Sequence, residues 1–232
     1  MLTRDFLRTV DCKTAFGDID ESLLWSAEQR AASLAATLAC RPDDGPVWIF
    51  GYGSLMWNPA LEFDESSTGT LTGWHRAFCL RLTAGRGTVC QPGRMLALKE
   101  GGRTTGVAYR LPEAMLTEEL TLLWKREMIT GCYLPSWCKL ALDDGRVVNA
   151  LVFIIDPRHP LYESDTRSQT IAPLIASASG PLGTNAQYLF SLEQELIKLG
   201  MQDDCLNDLV NKVRVLLGGE KPGSNLLPGF AC

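Results

Sequence analysis

The spacing of apolar and polar residues predicts strands in the middle of the chain and helices at both of its ends. Apolar residues at alternate positions indicate half-buried strands, whereas apolar residues three and four positions apart indicate helices. The predicted elements are, in chain order, a helix over 22–39, strands over 47–50, 69–82, 95–100 and 103–111, a helix over 112–128, strands over 133–142 and 146–155, and helices over about 167–178, 185–199 and 205–217. This order favours an α+β fold over a doubly wound parallel sheet.

Glycine residues mark the predicted turns. Gly101-Gly102 separates two strand-like runs and predicts a tight hairpin, and Asp143-Asp144-Gly145 predicts a second one. Gly73 predicts a bend in the long strand that contains it. Gly131 is expected to close the helix that precedes it, because glycine readily adopts the left-handed conformation in which many helices end.

No break in composition and no internal repeat divides the chain into two large domains. Residues 1–45 are interpreted as an N-terminal helical extension that packs on the domain, and residues 46–232 as one domain. Arg41-Pro42 ends the helix of the extension and leads to the first strand. The last residues, from Pro222 to Cys232, carry glycine and proline and are expected to be extended.

Charge and cysteine usage limit the partners that the chain can have. It carries 27 acidic residues against 22 lysines and arginines, a net charge of −5, which argues against nucleic acid or an anionic membrane as a partner. No apolar run suits a signal peptide or a membrane span, so we expect a cytoplasmic protein with reduced thiols. The eight cysteines form no Cys-x-x-Cys pair and only two histidines are present, so no structural zinc site is expected.

A glycine-containing loop follows the short apolar strand over 47–50. The glycines of Gly51-Tyr-Gly-Ser-Leu55 permit positive φ and a tight turn whose N–H groups can converge on an anion or a carbonyl oxygen. A glycine turn without a ligand is the alternative. The loop lacks the third glycine of the dinucleotide fingerprint. Ser54 does not lie in Gly-x-Ser-x-Gly, which favours a hydrogen-bonding loop serine over a nucleophile.

Glu127 is a carboxylate on the apolar stripe of the predicted helix over 112–128. The stripe consists of Leu116, Leu120, Leu123 and Trp124. Lys125 and Arg126 are expected to point away from it, at about 100° per residue. A carboxylate on a core-facing stripe is costly unless it is paired or lines a pocket, and desolvation raises its pKa towards the range of a general acid or base. The alternative is a structural ion pair with Arg76, Arg81 or Arg94.

Four motifs together resemble one known family. They are Val47-Trp-Ile-Phe-Gly-Tyr-Gly-Ser-Leu-Met-Trp57, Gly106-Val-Ala-Tyr-Arg-Leu-Pro112, Arg126-Glu127 with Gly131-Cys-Tyr133, and Gly180-Pro-Leu-Gly-Thr-Asn185 with Tyr188-Leu189. In this order they resemble the ChaC-type γ-glutamylcyclotransferases, from about Val47 to Leu199. The resemblance implies a small mixed β-barrel surrounded by helices.

The same resemblance implies cleavage of glutathione to 5-oxoproline and cysteinylglycine, with no metal and no cofactor. In that reaction the α-amine of the substrate attacks its own γ-carbonyl. By motif position, Glu127 matches the general acid/base of the family. The positions that match its substrate-binding loop and its pocket tyrosines are Ile49, Phe50, Gly51, Tyr52, Gly53, Ser54, Leu55, Tyr133 and Tyr188. Glutathione is the implied partner, and the oligomeric state is left open.

Two other functions remain as alternatives. A cyclotransferase acting on another γ-glutamyl amine would keep Glu127 but release a different amine. A non-catalytic γ-glutamyl-binding protein would use the same pocket without turnover. The carboxylate on the apolar stripe argues against this second alternative, because an idle pocket has no need of a desolvated carboxylate.

Overall fold

The structure, a computed structural model, describes residues 3–9, 16–17 and 19–218, so the predicted extended tail lies outside the described residues. Helices α1 (Arg4–Thr9) and α2 (Ala27–Ala39) precede the strands, with a 3-10 turn at Glu21–Leu23. The central elements are β1 (Trp48–Gly51), β2 (Glu65–Leu82), β3 (Gly93–Arg110), a 3-10 turn at Glu113–Met115, α3 (Leu116–Glu127), β4 (Tyr133–Leu142) and β5 (Val147–Ile155). The closing elements are α4 (Ser168–Ser177), β6 (Ser179–Gly180), β7 (Gly183–Thr184), α5 (Asn185–Lys198) and α6 (Asp204–Leu216).

In the described part of the chain, five strands close into a barrel in the order β1-β3-β2-β4-β5. β1 pairs antiparallel with β3 and parallel with β5, which makes the barrel mixed. Closure pairs the edge strands with each other and leaves no open sheet edge. The predicted α+β class, the small mixed barrel and the hairpin between β4 and β5 are confirmed. Among the described residues, no helix has the length and apolar character needed to cross a membrane.

The predicted hairpin at Gly101-Gly102 is wrong. β3 runs through both glycines and pairs with β2 on either side, with Trp74 opposite Glu100 and Thr72 opposite Arg103. Gly73 therefore faces two glycines in a bulge, and all three have positive φ, at 91°, 102° and 71°. Because the extra residue is absorbed within the paired ladder, the long strands bend there instead of reversing direction. The bend predicted at Gly73 is confirmed.

Side chains of β1 alternate between two apolar clusters, which explains why this strand is wholly apolar. Trp48 and Phe50 belong to a cluster that includes residues of α4, α5 and α6. Ile49, together with Val47 just before the strand, belongs to a second cluster, which includes residues of α3. Successive side chains of a strand point to opposite faces, so a strand that is covered on both faces shows no apolar–polar alternation.

Gly131 does not close α3, contrary to the prediction. The helix ends at Glu127, and its C-cap, Met128, has a φ of −107°. A Cβ at Gly131 would lie 1.9 Å from Cε2 of Trp25, and the φ of Gly131 is +65°. The absence of a side chain at Gly131 thus leaves room for the indole of Trp25, which belongs to the N-terminal extension. The backbone N–H of Trp25 donates to the Ile129 carbonyl at 2.8 Å.

The N-terminal extension also contacts α3 and β4 through polar groups. The Trp124 indole N–H donates to Ser33 Oγ at 3.2 Å, and the Trp137 indole N–H donates to the Thr37 carbonyl at 2.8 Å. Both indole N–H groups therefore find a partner on α2, as those of buried or half-buried tryptophans usually do. These bonds fix α2 against the helix that ends at Glu127.

Candidate active site

A cavity of about 410 Å³ lies at the C-terminal end of α3. The loop after β1 contributes Ser54, Trp57 and Asn58, and α3 contributes its last two residues. Other wall residues come from the start of β4 and the turn before it, the loop after β2, helix α5 and the N-terminal extension. They include Thr130, Cys132, Tyr133, Arg86, Tyr188, Phe16 and Ile19. Segments that are distant in sequence thus meet around one small-molecule-sized space.

Glu127, the last residue of α3, lines this cavity with 17% of its side chain exposed. Burial raises the pKa of Glu127, because removal from water disfavours the charged form, and the neighbouring Arg126 opposes that rise. The Glu127 Oε1 lies 3.0 Å from Arg126 Nε. A carboxylate of raised pKa at the wall of a cavity can both accept and return a proton near neutral pH.

Arg126 turns towards Glu127 and the loop after β1, and the expectation that it points away is wrong. Its Nη1 donates to the carbonyls of Asn58 and Pro59 at 2.6 and 3.1 Å, and its Nη2 donates to Ser54 Oγ at 2.8 Å. The long side chain bends back across the helix end, so the direction of its Cα–Cβ bond does not determine where the guanidinium lies. Arg126 thereby ties the loop to the carboxylate.

The three arginines considered as partners of this carboxylate have other roles. Arg76 Nη1 lies 3.7 Å from Asp203 Oδ2, and Arg94 Nη2 lies 3.6 Å from Glu163 Oε1. Arg81 is exposed and lines the cavity. The structure therefore combines the two interpretations of the sequence: the carboxylate is paired, though with its own chain neighbour, and it also lines a pocket.

The glycine-containing loop is held in place by buried polar contacts. The Tyr52 hydroxyl donates to the Phe153 carbonyl at 2.6 Å, and the Tyr109 hydroxyl donates to the Leu55 carbonyl at 2.9 Å. A Cβ at Gly53 would lie 3.0 Å from the Tyr188 hydroxyl oxygen. Neither loop glycine has positive φ. Glycine is needed here for close approach rather than for a left-handed turn, which corrects the prediction.

The structure brings some of the predicted site residues to the cavity and not others. Ser54, Glu127, Tyr133 and Tyr188 line it together. The side chains of Ile49, Phe50, Tyr52 and Leu55 lie in the apolar clusters instead. Gly51 is the last residue of β1, and Gly53 lies under the Tyr188 hydroxyl. That the whole segment from Ile49 to Leu55 contacts substrate stays a prediction.

Tyr188 forms an aromatic wall next to the loop. Its ring packs edge-on against Trp57 and Phe78, with centroid distances of 5.4 and 6.3 Å. Burial raises the pKa of Tyr188, and the nearby Glu127 raises it further. The phenol is therefore protonated and offers a hydrogen-bond donor at the cavity wall.

Other nucleophiles near the cavity are poorly placed for covalent chemistry. Ser54 Oγ accepts a hydrogen bond from Arg126, which cannot serve as a base. Burial raises the pKa of Cys132 to about 12, so its thiol is protonated. His159 bonds through Nε2 to the Thr130 carbonyl at 3.0 Å. Within the described ranges, no group of three or more His, Cys, Asp or Glu side chains is arranged to hold a metal ion.

The sequence pattern missed many wall residues, among them Phe16, Ile19, Arg86 and Arg126. Arg86 is half-buried in the loop after β2, burial lowers the pKa of its guanidinium, and its Nη1 donates to the Thr184 carbonyl at 3.0 Å. Its flanking glycines, Gly85 and Gly87, were the one local signal of an unusual loop. Nothing in the spacing of Phe16 and Ile19 points to a pocket.

Comparison with known proteins gives a consistent family. A family model described as ChaC-like protein matches residues 47–216. A glutathione-specific γ-glutamylcyclotransferase of Escherichia coli strain K12 is 83% identical over 231 residues, which cover 100% of both chains. The human glutathione-specific γ-glutamylcyclotransferase 1 is 32% identical over 181 residues, 75% of this chain and 82% of the human one.

A solved structure shares the fold. The yeast γ-glutamyl cyclotransferase specific to glutathione superposes with a TM-score of 0.68 at 22% identity, and the match covers 74% of this chain and 97% of the yeast chain. At this identity the likeness concerns the barrel and its helices. The family match over residues 47–216 and the relative that is 83% identical over the full length show that the chain belongs to the ChaC-like protein family.

Proposed function

We propose that this protein is a γ-glutamylcyclotransferase that cleaves glutathione to 5-oxoproline and cysteinylglycine. The observation that carries the proposal is Glu127, a mostly buried carboxylate of raised pKa at the wall of a cavity. The relative from Escherichia coli, 83% identical over the full length, bears this activity in its name. A cavity of about 410 Å³ suits a tripeptide, since small-molecule sites span roughly 300–1,000 Å³.

The reaction needs no nucleophile from the protein. The α-amine of the substrate attacks its own γ-carbonyl carbon, a C–N bond forms, and a five-membered lactam closes. The bond from that carbon to the cysteinyl nitrogen then breaks. Glu127 takes the proton that the attacking amine loses and returns it to the leaving nitrogen, so protons balance over the cycle. Holding amine and carbonyl in contact lowers the entropy cost of ring closure.

Hydrogen-bond donors at the wall suit the charge that develops on the carbonyl oxygen. The protonated phenol of Tyr188 lies beside the loop that carries Ser54. We assign Tyr188 as a donor to the γ-carbonyl oxygen, because a fixed donor aimed at a developing oxyanion stabilises the transition state. Tyr133, whose hydroxyl donates weakly to the Leu96 carbonyl at 3.4 Å, forms the neighbouring wall.

The cationic side chains match the carboxylates of glutathione. Arg81, Arg86 and Arg126 line the cavity together with the single carboxylate of Glu127. Arg126 already donates to the loop and contacts the Glu127 carboxylate. The hydrogen bond of Arg86, in contrast, goes to the neutral carbonyl oxygen of Thr184. A half-buried guanidinium gains most from a carboxylate, so we assign Arg86 as an anchor for a substrate carboxylate.

Cysteine state and charge support a cytoplasmic location without nucleic acid or membrane as a partner. The free cysteines of the described residues include exposed Cys40, Cys90 and Cys205. Exposed thiols are typical of a reducing compartment, where glutathione is also held reduced. The net charge of −5 disfavours polyanionic partners. Fractionation of cells that express the protein tests the location.

The test of function is incubation of the purified protein with glutathione, with both products followed by chromatography. We expect equimolar 5-oxoproline and cysteinylglycine. The Glu127→Gln variant should lose activity by about 10²- to 10⁴-fold, the usual contribution of a general acid/base. Glu195→Gln, which alters a helix carboxylate paired with Lys198, is the matched control. Near-parent activity in Glu127→Gln would show that this base assignment is wrong.

A further inference from the structure

We propose that the N-terminal extension completes the active site, with Phe16 and Ile19 forming a fixed wall that binds the cysteinylglycine half of glutathione. The proposal rests on the function proposed above and deepens it. Both side chains line the cavity that holds Glu127, and Phe16 is buried. Both also lie before residue 47, where the family match begins. This wall is therefore made by a part of the chain that lies outside the matched family domain.

Phe16 is joined to the rest of the cavity through the main chain. The Gly85 N–H donates to the Phe16 carbonyl at 2.5 Å, and the Gly85 carbonyl accepts from the Leu182 N–H at 2.8 Å. Gly17, with a φ of +89°, packs against Pro181, whose Cγ would lie 3.3 Å from a Cβ at this position. The extension, the loop after β2 and the turn before α5 thus form one side of the cavity.

Helix α1 is anchored to α3 by a buried ion pair. Arg4 Nη2 donates to Glu119 Oε1 at 2.7 Å, Arg4 Nη1 reaches the other oxygen, and the Glu119 side chain is 0% exposed. The Glu62 N–H also donates to this carboxylate, at 2.9 Å. This bidentate pair is costly to separate, because Glu119 would be left charged in the interior without its cation. The Phe6 ring of α1 packs edge-on against Phe16 at 6.1 Å.

A second attachment follows Phe16 and Ile19 in the sequence. The Trp25 indole occupies the space next to Gly131, which lies four residues after Glu127. The backbone N–H of Trp25 donates to the Ile129 carbonyl. Since α3 carries Glu127 at its end, both attachments set the extension relative to the reacting groups. The wall is consequently part of the resting structure and does not need to close over the substrate.

The chemistry of the wall indicates which half of the substrate it contacts. Ring closure brings the amine and the γ-carbonyl to Glu127, which lies beside Ser54 and Arg126. The same cavity is lined by the apolar Phe16, Ile19 and Leu182 and by the guanidinium of Arg86, and the main chain joins Phe16 and Leu182 to Gly85, next to Arg86. An apolar surface next to a cation fits the cysteinyl side chain followed by the glycine carboxylate. The wall therefore faces the part of the substrate that leaves as cysteinylglycine.

Steady-state kinetics of Phe16→Ala and Ile19→Ala test this inference. We expect KM for glutathione to rise by about tenfold in each variant, equivalent to the loss of roughly 1.4 kcal/mol of binding, with kcat within about twofold of the parent. A short substrate, γ-glutamylmethylamide, does not reach the wall and should change by less than about twofold in kcat/KM. Leu34→Ala, which trims an apolar residue of the same extension that is not among those lining the cavity, is the matched control.

The two proposals fail in different ways. If the parent protein releases no 5-oxoproline from glutathione, the proposed function fails. If the parent is active but both alanine variants keep the KM of Leu34→Ala, the wall does not bind substrate and the inference is overturned. A fall in kcat without a change in KM, or equal losses for both substrates, also overturns it. Circular dichroism melting of each variant, with Phe16→Leu as a milder substitution, separates these outcomes from unfolding.

Discussion

Replacement of Arg126 by lysine tests the connection between the glycine-containing loop and Glu127, the carboxylate proposed as the acid/base. The guanidinium donates to Asn58, Pro59 and Ser54 at 2.6 to 3.1 Å while its Nε faces Glu127 at 3.0 Å. Lysine keeps the charge but has a compact ammonium on a flexible stem, and it cannot reproduce a planar fork that reaches four acceptors. The substitution therefore removes geometry more than charge.

The size of the effect follows from the bonds that are lost. Hydrogen bonds to charged groups contribute about 1.5–3 kcal/mol each, and a lysine retains some of those that Arg126 makes. We expect the free energy of unfolding to fall by about 2–4 kcal/mol. In a domain of this size, each 1 kcal/mol lowers Tm by roughly 2–4 °C, so Tm should fall by about 4–16 °C. Because Ser54 and Glu127 are no longer tied together, kcat should fall by at least about tenfold.

Arg126→Gln separates charge from geometry through the pH profile. Burial raises the pKa of Glu127 and Arg126 opposes that rise, so loss of the guanidinium lets the pKa rise further. The base must be ionised to accept a proton, and the acid limb of the kcat profile should therefore move to higher pH. Arg81→Lys and Arg81→Gln, at an exposed arginine of the same cavity, are matched controls. An Arg126→Lys protein with parental Tm and kcat, or an Arg126→Gln profile that does not move, would refute this account.

Three further predictions follow from single contacts. Arg86→Gln should raise KM for glutathione by about tenfold with little change in kcat, since it removes a charge-assisted bond to a substrate carboxylate. Arg103→Gln, a matched control on a distant part of β3, should leave KM unchanged. Gly131→Ala should lower the free energy of unfolding by about 2–4 kcal/mol in chemical denaturation, because its Cβ would meet the Trp25 indole. Gly145 also has a positive φ, +89°, but no atom lies within 4 Å of a Cβ there, so Gly145→Ala should lower the free energy of unfolding by only about 1 kcal/mol. Glu127→Gln should be at least as stable as the parent at neutral pH, and a large loss of Tm there would contradict the raised pKa.

Local pattern was enough to predict most elements and the key carboxylate. The apolar stripe of α3 placed Glu127 on the core side, and the structure places it at a cavity wall. The hairpin between β4 and β5 was predicted from Asp143-Asp144-Gly145, a turn that allows few other conformations. The prediction at Gly101-Gly102 failed because the same dipeptide serves equally well in a bulge, and only the pairing of β3 with β2 on both sides decides between the two.

The rest of the candidate site depends on contacts between distant parts of the chain. Arg86 approaches Thr184, which is 98 residues away, and Phe16 bonds to Gly85. No periodicity within a segment reports such contacts. Gly131 was misread for the same reason: its positive φ was foreseeable, but the indole that it admits comes from Trp25 in the extension. The sequence pattern therefore identified the residue proposed as the acid/base, Glu127, and missed most of the residues that enclose it.

The raised pKa of Glu127 means that its ionised carboxylate lowers the free energy of unfolding. A carboxyl group whose pKa is higher in the folded than in the unfolded state lets the folded state bind the proton more tightly. Stability from this group is present at low pH and is lost as pH rises through its folded pKa, so the ionised form at neutral pH weakens the fold. Arg126 reduces that penalty without removing it, since burial remains the larger effect. A fully compensated ion pair would stabilise the protein better but would have too low a pKa to return a proton to the leaving amine. A single acid/base residue requires a pairing of this kind. The contacts of Arg126 hold the loop, yet they do not cancel the rise in the Glu127 pKa that burial causes.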